Sequence, residues 1–279
     1  MVRSVAIGLR PTIGIFLLFC CSAGTAYGQE SYSKQATISE VDGKVHLVAN
    51  DSRPLAQALD ALQQKYGWRV NYEDPQYTSK VDLIDAKGLQ DKSSYPNGQH
   101  RVPNGGSFAA ELGAVPAAQA SLDEKKTLQS LIDSYNRSSN PGRFELREDR
   151  TEQAFDVVGT AAHDSEGRIA PQPVLLDSSI TIDTQERTFS DTVDLICQKL
   201  AEKTHVPITF GVHPLGLDRV HVTVGGKDLT GRSLLLRAID PTGRKLCWRL
   251  LFDPDSGGYF LNLQLVKRHE GEPGSHGKQ

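Results

Sequence analysis

Residues 54–75 read PLAQALDALQQKYGWRVNYEDP. Leu55, Ala58, Leu59, Leu62 and Tyr66 recur at the i, i+3, i+4, i+7 spacing of a helix with one apolar stripe. Pro54 suits the first turn, where a missing N–H costs nothing, and Asp51 or Ser52 can cap it. Gly67 supplies the left-handed residue at which helices stop. Beyond it Trp68, Val70 and Tyr72 alternate with Arg69, Asn71 and Glu73, the period of a strand, and Pro75 closes the run. Upstream, KVHLVAN at 44–50 is rich in β-branched residues and reads as another strand. The spacing thus predicts a strand–helix–strand unit over 44–75.

The same order returns further along. Leu128, Leu131, Ile132 and Tyr135 make a second helical stripe, ended by Asn140, Pro141 and Gly142. RFELRE (143–148) and AFDVVGTA (154–161) read as paired strands. SSITIDTQ (178–185) opens a second series. It continues with a helix over 189–205 that sets Val193, Ile196, Cys197, Leu200 and Ala201 on one face, with Ser190 as its cap. Strands follow at 206–212 and 219–226, then a short helix at 229–240 stopped by Pro241, then a hairpin over 245–266 that turns at 253–258. We therefore expect an α+β protein of two tandem small modules. Each has strand-helix-strand-helix-strand-strand order, with two helices packed on one sheet. A period of about 130 residues fits duplicated domains rather than a solenoid. The stretch 76–125 carries turn-rich SYPNGQHRVPNGGS and small-residue GAVPAAQAS, and reads as a long insertion in the first module.

The matching positions Pro54, Leu55, Ala58, Leu59, Leu62, Gly67, Val70 and Tyr72 resemble the short N-terminal module of secretins and TonB-dependent receptors (STN-like). A looser version runs through Val193, Ile196, Leu200, Val206, Ile208, Val222, Val224, Leu235, Ile239 and Trp248. The chain also resembles secreted bacterial proteins that carry no assigned activity. The STN resemblance implies a periplasmic, non-enzymatic protein that contacts other proteins of an envelope machine or signalling relay.

The start of the chain fits that compartment. Arg3 and Arg10 precede the apolar run IGIFLLFCC, and Ala26 and Gly28 stand where a signal peptidase reads small residues. We expect residues 1–28 to be a signal peptide, 29–43 an N-terminal linker, 44–170 the first module, 171–177 (PQPVLLD) a linker, 178–266 the second module and 267–279 a disordered tail. The apolar run is shorter than the ~20 residues that span a bilayer. The 279-residue chain has a formal net charge of −3, with scattered charges. That gives no basic footprint for nucleic acid or for an anionic membrane surface. The expected location is periplasmic or secreted, and the expected partner an envelope or extracellular protein.

Candidates for chemistry are few. The sequence has no G-x-S-x-G, P-loop or H-E-x-x-H, and His205, His213 and His221 lack zinc spacing. Glu73 and Asp74 are adjacent on a strand, so they point apart and do not converge as an acid–base pair. We assign no catalytic, metal or cofactor residue. Export permits a Cys197–Cys247 disulfide, but Cys197 sits on the apolar helix stripe and Cys247 alternates with Arg249 away from Trp248 and Leu250, so the two face different ways and two buried free thiols are the favoured reading. Trp68, Tyr72, Tyr77 and Trp248 either plug cores or form a face for a sugar or peptide. The leading expectation is a non-enzymatic binding protein. The alternatives are a glycan or small-ligand binder, and a cell-wall or polymer hydrolase with a site between the modules.

Overall fold

The first half begins with strand β1 (Thr37–Val41), which pairs antiparallel with β2 (Lys44–Asn50). Helix α1 (Pro54–Tyr66) follows, with Pro54 in its first turn and Gly67 as its left-handed C-cap at φ 69°. Arg53 occupies the N-cap position without a side-chain bond; Asp51 instead accepts from the Arg53 N–H at 2.8 Å. Then come β3 (Val70–Glu73), the small antiparallel pair β4 (Leu83–Asp85) and β5 (Arg101–Pro103), β6 (Ser107–Ala114), α2 (Glu124–Arg137), β7 (Arg143–Asp149), β8 (Ala154–His163) and β9 (Ile169–Pro171). The second half contains β10 (Ser179–Thr188), α3 (Phe189–Thr204), β11 (Ile208–Phe210), β12 (His221–Thr230), α4 (Gly231–Ile239), β13 (Leu246–Asp253) and β14 (Gly258–Leu265). The computed structural model describes residues 35–41, 44–86, 100–114, 123–149 and 154–266. The expected signal peptide and tail lie outside the described residues. Among the described residues, no helix is long and apolar enough to cross a membrane.

The chain is an α+β protein, and the two halves share one pairing scheme. In the first, β2 pairs antiparallel with β6, β3 pairs parallel with β8, and β7 pairs antiparallel with β8. In the second, β10 pairs antiparallel with β12, β11 parallel with β14, and β13 antiparallel with β14. The helices are not simply laid on one sheet, as expected. Each pair sits between a small sheet and a large one. Leu55, Leu59, Leu62, Leu128 and Leu131 pack with Val45, Leu47, Phe108 and Leu112 on one side, and with Val70, Tyr72 and Val157 on the other. Phe189, Val193, Ile196, Leu200 and Leu235 likewise lie between Ile180, Ile182, Val222 and Val224 and the row Leu246, Trp248, Leu250 and Leu261.

The expected independence of the halves is also corrected. Their large sheets are one sheet, in the order β11-β14-β13-β3-β8-β7, with β9 also on β8. The join is a parallel pairing of β13 with β3, with Arg249 beside Tyr72 and Leu250 beside Glu73. Registered neighbours share a face of a sheet. Tyr72 belongs to the first-half core and Leu250 to the second. The two helix pairs therefore cover opposite faces of the common sheet.

Three boundaries move as a result. Segment 76–125 is not an insertion hung on a finished module: it supplies β6, whose Phe108, Ala110 and Leu112 are buried against the helices. The expected linker 29–43 contains β1. The linker 171–177 is anchored, because Leu175 and Leu176 sit in the second-half core. The cap of α3 is Thr188, which accepts from the Asp191 N–H at 3.1 Å; Ser190 turns instead to Asp218.

Candidate interaction surface

Only two residues of β13 register with β3. So short a parallel ladder is weak, and side chains extend it in both directions. Asp74, just past β3, is the hub. Its N–H donates to the Leu250 carbonyl at 2.9 Å, and its Oδ2 accepts from the Phe252 N–H at 3.0 Å and from Arg53 Nε at 2.7 Å. Its Oδ1 accepts from the hydroxyls of Tyr72 (2.7 Å) and Tyr77 (3.3 Å), and Tyr259 donates to its carbonyl at 3.2 Å. Further down, the Asn71 Oδ1 accepts from the Trp248 N–H at 3.0 Å, and Arg69 Nε donates to the Leu246 carbonyl at 2.7 Å.

On the face toward α1, Arg249 is buried and spans the join. It donates to Asp60 (2.6 and 2.9 Å) and to the Val70 carbonyl (2.7 Å). On the opposite face, Arg232 at the start of α4 reaches Glu73 (2.6 Å), Asp156 (3.1 Å) and Asp177 (3.3 Å). The Trp248 indole N–H donates to the same Glu73 oxygen at 3.2 Å, and Arg232 lies 5.9 Å from the Trp248 ring centre. Burial pushes the Glu73 carboxyl up to about 7; Arg232 opposes this and the Asp156 charge adds to it. Buried charges persist only when paired and hydrogen-bonded. These groups pair across the join between the halves.

A cleft of about 230 Å³ opens on the α1 side of the join, lined by Arg53, Gln57, Asp60, Arg249, Leu251 and Asn262 among others. It is smaller than the ~300 Å³ at which small-molecule sites begin. Its charged groups are already engaged: Arg53 with Asp74 and Asp60 with Arg249.

The candidates read from sequence fall as follows. Cys197 and Cys247 are both buried free thiols, so the disulfide does not form. Cys197 packs in the second-half core, whereas Cys247 faces the other way, with its Sγ 3.0 Å from Gln63 Oε1 of α1. Burial pushes the Cys197 thiol up to about 12, which leaves it protonated and inert as a nucleophile. Trp248 and Tyr72 are core residues, and Trp68 stacks on Tyr66 with ring centres 4.9 Å apart. None of the four aromatics forms an exposed face. His213 and Ser190 both bond the same Asp218 oxygen on an exposed surface, so no serine–histidine contact is shown there. Among the described residues, no group of three His, Cys, Asp or Glu is placed to hold a metal. Sequence reading missed Arg232, Arg249 and Asp60. For Arg249 the signal was a charge inside an otherwise apolar strand; Asp60, off the apolar stripe of α1 and partly exposed, carried none.

The open surface lies in the second half. In the first half β1 covers the outer edge of β2, and β13 covers the outer edge of β3. Among the described residues, the counterparts β10 and β11 end their sheets with no strand on those edges. Bare edges present unpaired N–H and C=O groups that can template another strand. Family models, curated proteins and solved structures offer no match to this chain.

Proposed function

We propose that this is an exported, non-enzymatic binding protein. Its first half and the join form a fixed scaffold, and its second half captures an envelope or extracellular protein by strand addition at β10. The observation that carries this reading is the missing counterpart of β1. In the first half an extra strand lies antiparallel on β2, and in the second half, among the described residues, no strand pairs with the same edge of the ten-residue β10, where Arg187 donates to the Asp183 and Gln185 carbonyls. Main-chain hydrogen bonds then supply affinity, and the side chains alternating along β10 supply selectivity. Asp183, Thr184, Gln185 and Glu186 are exposed there, so a partner strand with basic residues is favoured. The STN-like pattern supports a protein-contacting role, and a tightly paired join supports rigidity rather than turnover.

The test is crosslinking of the tagged protein in its native envelope, followed by affinity capture. A reproducible partner, lost in the double variant Asp183→Arg/Glu186→Arg with folding unchanged, is the expected result. Capture that survives the double variant places the contact elsewhere. Capture of nothing, together with turnover of a glycan or peptide substrate, overturns the reading.

A further inference from the structure

The edge of β11 carries a second inference, independent of β10. Align the halves on their left-handed caps, Gly67 and His205, and on the pairs Val70↔Phe155 and Ile208↔Tyr259. Asp74 then corresponds to Val212 and Tyr77 to Leu215. Asp74 and Tyr77 are 4% and 2% exposed, because the join closes over them. Val212 and Leu215 are 75% and 94% exposed. Where the first half has a buried interface, the second half presents apolar side chains to water beside a strand edge that is unpaired among the described residues.

The alignment also names what fits. The strand that covers β3 is β13, and its first-half counterpart is β7, which ends the sheet on the far side. Following the pairings across the sheet, β7 and β11 run in the same direction. A second molecule displaced along the sheet without rotation therefore brings its β7 alongside β11 in parallel, as β13 lies along β3. We propose that β11, with Val212 and Leu215, docks β7 of a second copy of this chain, and that the contact repeats head to tail.

Charges agree with this occupant. Leu251 faces Ala56 and Arg53 in the cleft at the join. Under the same alignment Leu251 becomes Arg147, Ala56 becomes Asp194 and Arg53 becomes Asp191. Partial burial, and then the neighbouring Asp191 charge, hold the Asp194 carboxyl above the usual range. Arg147 of the second copy adds a permanent cation beside His213, which already acts on Asp194. Within one molecule Arg147 contacts Glu145 and Asp177, so docking exchanges surface ion pairs and is sensitive to salt. A contact between two different patches does not close on itself, so the assembly is open-ended.

Sedimentation of the purified protein over a wide range of concentration, at low and high salt, tests this. The expected result is a mass that keeps rising with concentration at low salt. Val212→Asp/Leu215→Asp, both at exposed positions, and Arg147→Asp should each weaken association at least about tenfold. Mixed, these two variants should form a one-to-one dimer and no more, because each retains the edge that the other lacks. A protein that stays monomeric throughout, that stops at a closed dimer, or whose assembly ignores Val212→Asp/Leu215→Asp overturns the inference. A monomer that still captures a partner through β10 overturns this inference alone and leaves the proposed function standing.

Discussion

The two halves pair their strands alike and finish them differently. In the first half the outer edges of β2 and β3 are covered, by β1 and by β13, while β6 and β7 end their sheets among the described residues. It buries polar groups at the join: Asn71, Glu73, Asp74 and Asp156 are all under 5% exposed. At the corresponding places the second half has Thr209, Gly211, Val212 and Phe260, and among the described residues no strand pairs with the outer edges of β10 and β11. One arrangement of strands thus serves twice, once as a scaffold closed by its neighbour and once as a surface still open. Polar residues are tolerated at the closed edge because most of their groups are paired across it, as Asn71, Asp74 and the Oε1 of Glu73 are. Of the two open edges, β11 is blunted by shortness, with three residues, whereas β10 runs for ten.

The largest expected effect tests whether the closed edge makes the halves one cooperative unit. Trp248 is fully buried in the second-half core, yet its indole and backbone N–H groups bond Glu73 and Asn71 of the first half. Trp248→Ala should destabilise by about 3–5 kcal/mol. It also leaves Trp68, of the first half, as the only tryptophan. Urea unfolding followed by Trp68 fluorescence and by far-ultraviolet circular dichroism should then give coincident transitions, both moved to lower urea. A Trp68 transition that keeps its parental midpoint would show the first half folding alone and would break the comparison.

A smaller effect probes the charge of the closed edge. Glu73 faces Arg232, Asp156 and the Trp248 indole. Its carboxyl rises on folding from the ordinary ~4.3 of an exposed glutamate to about 7, chiefly through burial. Between those values the folded protein binds more protons than the unfolded one. The Glu73 contribution to stability is therefore fully present below the lower value and is lost as pH rises through the upper one. Carboxylates held below their usual range, such as Asp218 and Asp253, act in the opposite sense at lower pH. Glu73→Gln keeps an acceptor for Trp248 but removes the titration. The stability difference between parent and variant should shift in favour of the variant as pH rises from about 4.5 to 7. A difference that stays flat across that window would mean that Glu73 is ionised throughout and that Arg232 outweighs its burial.

Much of the fold was legible locally. The stripe Leu55–Leu59–Leu62, the stop at Gly67 and the hairpin over 245–266 lie where the periodicity puts them. The expected strand-helix-strand-helix-strand-strand order does not hold, because each half places a further strand, β6 or β12, before its second helix. What failed was non-local or weakly apolar. Strand β6 hid in SFAAELGA, where only Phe108, Ala110 and Leu112 alternate inward and the small residues imitate a loop. Strand β1 has almost no buried face and takes its place from pairing with β2. The join was invisible because parallel pairing of Arg249 with Tyr72 leaves no trace at either site. Even so, Glu73 and Arg249 sat in strands too apolar to expose them, and an inward charge in such a strand demands a partner.

The smallest expected effect is the sharpest test of the contrast. Tyr77 and Leu215 stand ten residues past their respective caps, and only Tyr77 is buried. Tyr77→Ala removes a buried ring and a hydroxyl that donates to Asp74, and should cost about 3 kcal/mol. Leu215→Ala removes a side chain that touches almost nothing within one molecule. It should change the stability of dilute protein by less than about 0.5 kcal/mol, measured by urea unfolding at a concentration where the protein is monomeric. A surface leucine that contributes nothing to its own fold is free to serve an interface. If Leu215→Ala proved as costly as Tyr77→Ala, the second half would be closed in solution as the first is, and its open edge would not be open.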